Sequence, residues 1–172
     1  SVSENGYTEN IEVIRGDIRE IKTIVPHPTL DLAACNPPYK AVGAGLRNPD
    51  ERMENARHEC TCTLEDVAKA GRDVLRYGGR FCLCQRPERL ADAMNVFRAY
   101  GLEPKRLRLV QQRVNTAPSL FLLEARRGGK PGLSVLPTLI IEDENGGFSA
   151  EMLEIYGNYK FGHEGGRADG RK

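Results

Sequence analysis

The apolar run Leu30-Asp31-Leu32-Ala33-Ala34-Cys35 leads directly into Asn36-Pro37-Pro38-Tyr39, and this junction constrains the fold more than any other stretch. Two successive prolines fix φ near −65° and remove two backbone N–H groups, so a strand that reaches Asn36 must stop there. Alternating strands and helices surround it. Residues 11–16 alternate apolar and polar and read as a strand ending at Gly16-Asp17. Thr63 has the form of a helix N-cap with Asp66 three positions on, and Leu64, Val67, Ala68, Gly71, Val74 and Leu75 trace one helical face that should stop at Gly78-Gly79. Residues 80–85 read as a short strand. Pro87 then opens a helix carrying Leu90, Met94 and Phe97, closed by Gly101. Strand candidates at 105–114 and 119–126 and a short helix at 150–156 complete the series, which argues for an α/β sheet with parallel members.

Open α/β sheets bind ligands at the carboxyl ends of their strands, where Asp17 and Asn36 both fall. The residue types at Asn36 suit one chemistry. An exocyclic amine conjugated to a purine ring is a weak nucleophile, because its lone pair is delocalised. Two acceptors, the Asn36 side-chain carbonyl and the Pro37 backbone carbonyl, could bind both amine hydrogens and favour the pyramidal form in which that lone pair is available. Tyr39 would supply a flat face for a base flipped from its stack. On this reading the chain is a candidate N6-adenine methyltransferase. The plainer reading of Asn-Pro-Pro is a strand-terminating turn, and that of Asp17 a turn or cap residue.

Composition closes off several classes. The chain has 172 residues, 40% of them hydrophobic, enough for one sizeable core. No apolar stretch has the length of a membrane span and no basic-then-apolar leader is seen, so a cytoplasmic protein is expected. Five cysteines do not suggest a disulfide framework. Cys60-x-Cys62 and Cys82-x-Cys84 are spaced too tightly for ordinary structural zinc pairs, and no metal is expected. Net charge is +1, yet Lys105, Arg106, Arg108, Arg113, Arg126, Arg127 and Lys130 stand against the single acid Glu124 within 105–130. Such a cluster could meet phosphates or could be a solvated strand face.

Further residues narrow the assignment. Gly16-Asp17, Asn36-Pro37-Pro38-Tyr39, Ala56-Arg57-His58-Glu59 and Gly128-Gly129-Lys130-Pro131-Gly132-Leu133, continuing through Leu136-Pro137, Asp143-Glu144-Asn145-Gly146 and Leu153-Glu154-Ile155-Tyr156, resemble the later two-thirds of a class I methyltransferase. The family resembled is the tRNA(Val) adenine-N6 methyltransferases, the YfiC-like enzymes, over nearly the whole chain to about Gly157. The resemblance implies methyl transfer from S-adenosylmethionine to N6 of an adenine in a tRNA anticodon loop. It implies that Asn36, Pro37 and Tyr39 hold the target base, that Asp17 and Asn36 meet the cofactor, and that Arg57, His58, Arg126, Arg127 and Lys130 face the RNA.

Two departures stand out. The strand and glycine-rich turn that open a complete enzyme of this class have no counterpart, since Gly43-Ala44-Gly45 follows the Asn36 turn and reads as loop. Residues 1–157 are therefore expected to form a partial catalytic domain. Its Rossmann-like sheet would lack the first strands and end in a C-terminal antiparallel pair, with 158–172 a disordered tail. Such a sheet would expose an edge through which a homodimer could form, and the chain alone would be weakly active or inactive. In addition, Asn115-Thr116-Ala117-Pro118 stands where a more basic loop is expected. Two other functions fit the same residues: a glutamine N5-methyltransferase of release factors, and a non-catalytic module that binds RNA or a partner.

Overall fold

The structure, a computed structural model, describes Gly6, residues 9–37 and residues 62–156. A 3-10 turn, Ile18–Glu20, leads into the short helix α1 (Ile21–Ile24) and then strand β1 (Leu30–Cys35). Helix α2 (Leu64–Val74), strand β2 (Leu75–Gln85), a 3-10 turn at Pro87–Arg89 and helix α3 (Leu90–Ala99) follow. Strands β3 (Leu102–Gln111), β4 (Leu120–Arg127), β5 (Ser134–Val135) and β6 (Leu139–Ile140) precede helix α4 (Ala150–Tyr156). The described strands form one six-stranded sheet in the order β1-β2-β4-β3-β5, with β6 also on β3. β1 and β2 are parallel, and β4 lies antiparallel between β2 and β3. The expected α/β class and C-terminal antiparallel pair are both present.

Local sequence explains most of these elements. Thr63 and Asp66 form a complete capping box: the Asp66 N–H donates to Thr63 Oγ1 at 3.1 Å, and the Thr63 N–H donates to Asp66 Oδ2 at 3.0 Å. The apolar stripe of α2 packs Val67 and Ala68 onto Phe81, Leu83 and Phe121 of the sheet, and Phe97 of α3 meets Phe81 edge-on at 5.3 Å. Phe97, Phe121, Leu83 and Leu123 are completely enclosed. Val110, Leu139 and Met152 form a smaller core that fastens β6 and α4 to β3.

Three expectations need correction. Residues 11–16 are not a strand. Ile11, Val13 and Ile14 are exposed, and no described strand lies alongside to take their backbone groups; apolar alternation makes a strand only where a neighbour completes the ladder. Helix α2 stops at Val74 instead of continuing to Gly78-Gly79, because Leu75 turns extended and buries fully as the first residue of β2. The glycines instead allow a bulge: pairing with β1 jumps from Leu75 to Arg80, and Gly78 takes φ +82°. β3 begins at Leu102 rather than 105 and accommodates Pro104 at a register shift against β4.

One glycine is dictated by packing. A Cβ on Gly71 would lie 2.5 Å from the Phe81 ring, so Gly71→Ala must push α2 off β2. Overpacking of this kind costs about 1–3 kcal/mol. Urea denaturation should show that loss relative to the unaltered chain; equal midpoints would mean the helix–sheet contact is looser than described.

Candidate functional site

Parallel pairing brings the turn after β1 level with the end of β2. Cys35 pairs with Leu83, so Asn36 and Pro37 come abreast of Cys84 and Gln85 at the carboxyl ends of the two strands. Asn36 is exposed and Pro37 is buried. The buried proline anchors the turn, and Asn36 stands at the surface beside it. Pro38, Tyr39, Arg57, His58 and Glu59 lie outside the described residues.

An open cavity of about 630 Å³ begins at Asn36 and runs across the sheet face opposite the helices. Ala34, Cys82, Cys84 and Leu122 give it an apolar floor, and Arg106, Arg108 and Glu124 give it charged walls. The thiol pKa values of Cys35 and Cys82 are raised by burial, that of Cys82 further by the Glu124 carboxylate. Both therefore stay protonated near neutral pH, which suits packing and not nucleophilic or ligand roles. Arg106 sits 3.4 Å from Glu124. Arg108 donates to the Pro137 carbonyl at 2.9 Å and pairs with Glu151 of α4.

The basic stretch divides in two. Arg106 and Arg108 share the cavity with Asn36; the basic cluster read from the sequence includes both without placing either beside Asn36, and their period-two spacing on a strand was the available signal. Because β4 runs antiparallel to β2, Arg126 and Arg127 lie toward the opposite end of the sheet from Asn36. There Arg126 Nε donates to the Gly78 carbonyl at 3.1 Å and Arg127 donates to the Leu75 carbonyl. The Lys130 carbonyl accepts from Lys105 Nζ at 3.0 Å. These three residues serve the bulge and the β4 exit, and the structure does not bring them beside Asn36.

Asp17 caps the 3-10 turn that opens α1. Its Oδ1 accepts from the Arg19 N–H at 2.9 Å and from Arg19 Nε at 3.0 Å. Hydrogen bonds from the Arg19 side chain and then its backbone lower the Asp17 pKa to about 2. The group is a carboxylate at every physiological pH. It does not line the cavity that begins at Asn36.

No family model matches the chain, and no curated protein does either. Among solved structures, it is similar to a predicted O-methyltransferase of Agrobacterium tumefaciens, with a TM-score of 0.67 at 17% identity over 89% of this chain. The match spans 65% of that protein. A protein of Thermus thermophilus, provisionally described as a DNA modification methylase and solved with S-adenosyl-L-methionine, matches at a TM-score of 0.48 and 18% identity over 68% of this chain and 55% of that one. The first likeness shows the fold: the chain shares its α/β sheet and helix arrangement with the Agrobacterium protein.

The Asp17 geometry carries a test. A carboxylate with a lowered folded-state pKa contributes stability above its unfolded value near 3.8, and loses it as pH falls through about 2. Carbon-detected NMR of the Asp17 carboxyl should give a midpoint of about 2, moving up toward 3.8 in Arg19→Ala. A midpoint that ignores this substitution would remove the Arg19 fork as its cause.

Proposed function

We propose that this chain supplies the target-amine side of an S-adenosylmethionine-dependent methyltransferase acting on N6 of an adenine in tRNA. One observation carries the reading: Asn36-Pro37 sits at the carboxyl end of a parallel strand pair in an α/β sheet similar to that of a solved methyltransferase, with Pro37 buried and Asn36 exposed. Asn36 Oδ1 and the Pro37 carbonyl would accept the two amine hydrogens, orient the nitrogen and favour its pyramidal form. The amine proton released on methylation passes to solvent, so no strong base is required. Tyr39 would lie against the base.

The residues present suit part of a cofactor site. Asp17 is a permanent carboxylate, and since Arg19 meets both of its oxygens, an adenine amine or a ribose hydroxyl would share them with, or displace, the Arg19 guanidinium. Bound S-adenosylmethionine would supply an electrophilic methyl group. Arg106 and Arg108 beside Asn36, Arg57 and His58 in the segment that follows, and Arg126, Arg127 and Lys130 at the far end of the sheet would meet successive RNA phosphates. No helix among the described residues is long and apolar enough to cross a membrane.

Asn36→Ala should lower turnover on tRNA about 10²–10³-fold, the cost of a lost preorganised hydrogen-bonding group. Cofactor affinity by calorimetric titration should move far less. If the 172 residues alone turn over too slowly to follow, a longer protein containing them serves the same comparison. Turnover unchanged by the substitution would refute the role given to Asn36. Replacing Arg126, Arg127 and Lys130 with Ala should flatten the salt dependence of tRNA binding by roughly 2 in log–log slope. An unaltered slope would take that end of the sheet out of the RNA surface.

A further inference from the structure

Tyr77 is the most exposed large apolar side chain among the described residues, at 80%. It falls within the interruption of the β1–β2 register, between the pairs Leu75–Leu30 and Arg80–Leu32, and ahead of the first β2–β4 pair, Arg80 with Arg126. Bulges of this kind re-aim side chains. Here the tyrosine is turned onto the segment that leaves β4, where its hydroxyl donates to the Gly128 carbonyl at 3.0 Å. Gly128 takes φ +65°, and a Cβ there would run into the Tyr77 ring, so glycine is required on both counts.

A tyrosine held in this way gives the fold little. Most of its surface stays in water, and an exposed carbonyl would be met by water in its absence. What the contact does is fix the ring before anything binds, with a face left open. Cations stand around it. Arg126 Nε donates to the carbonyl of Gly78, next in the chain to Tyr77, and Lys105 Nζ reaches the carbonyl of Lys130, two residues past Gly128. The carboxylates of β1 and β3 at this end, Asp31 and Glu103, are paired with Arg76 and Arg98.

We propose that Tyr77 is a stacking platform for an unpaired base of single-stranded RNA whose phosphates lie on Arg126, Lys105 and Lys130. A nucleotide presents a flat base and an anion together. An open ring fixed among cations matches both, and the stack needs no particular base, since every base has a π-face. It also adds a contact that salt does not screen to phosphate contacts that it does. The proposal deepens the RNA reading above and rests on its placing of phosphates at this end of the sheet.

The test is binding of fluorescein-labelled decauridylate to the 172-residue chain by fluorescence anisotropy over a range of salt. Uracil carries no exocyclic amine, so the probe makes no demand on Asn36. Tyr77→Leu should weaken binding on the order of tenfold, the worth of one base–aromatic stack, with the salt slope unchanged because no charge is lost. Tyr77→Phe keeps the ring and should bind as the unaltered chain does; a loss equal to that of Tyr77→Leu would overturn the stack. In the unaltered chain with ¹³C-labelled tyrosine, decauridylate should shift the Tyr77 ring signals, assigned by their loss in Tyr77→Phe. If the joint replacement of Arg126, Arg127 and Lys130 flattens the slope while Tyr77→Leu keeps its affinity or the ring signals stay still, Tyr77 is no platform although the phosphate surface stands. If decauridylate does not bind, or the slope ignores that replacement, both fall.

Discussion

The parallel pairing of β1 with β2 is the contact on which the rest depends. It sets Cys35 against Leu83, and by doing so brings the Asn36-Pro37 turn to the end of β2. The pairing survives the bulge at Arg76–Gly79 because Leu75 is buried at its start and Phe81 and Leu83 are buried beyond it. Helices α2 and α3 press on one face of that pair, and Gly71 lets the helix approach the Phe81 ring. The opposite face keeps its cavity. A shift of one residue would turn every side chain of β1 to the other face and bury Ala34 in place of Cys35.

Charge in this protein serves architecture for the most part. Arg126 and Arg127 reach the carbonyls of Gly78 and Leu75, at and beside the interruption in the β1–β2 register. Arg108 joins β3 to α4, and Arg113 joins the loop after β3 to Glu142. Glu142 has its pKa lowered by hydrogen bonds from Gln112 and Arg113. Exposed pairs of this sort contribute little stability each. Their effect is to fix which cations face the cavity and which face the far end of the sheet.

Legibility follows the range of the interactions involved. The Thr63 capping box, the α3 face with Phe97 and the stop at Asn36 are readable in the sequence, since each depends on residues within one or two turns of chain. A strand at 11–16 and a longer α2 are what local pattern suggests, and neither forms. Both outcomes are settled by partners distant in sequence: in the first case no described strand lies alongside, and in the second Leu75 is buried in the sheet. Arg106 and Arg108 stand out in the sequence as part of the basic stretch 105–130, but nothing local tells which of its cations come to the turn at Asn36.

By itself the sequence determined where the chain must turn and which chemistry the turn can offer, because proline geometry and the acceptor atoms of Asn36 and Pro37 are properties of the residues themselves. Only the tertiary structure decided what stands beside that turn. Strand order and direction placed Arg126 and Arg127 away from it and Arg106 and Arg108 near it. The physical reason is that antiparallel insertion of β4 between β2 and β3 reverses the chain. Cations of one basic stretch are thereby set at different levels along the sheet, Arg108 opposite Leu122 and Arg126 opposite Glu103.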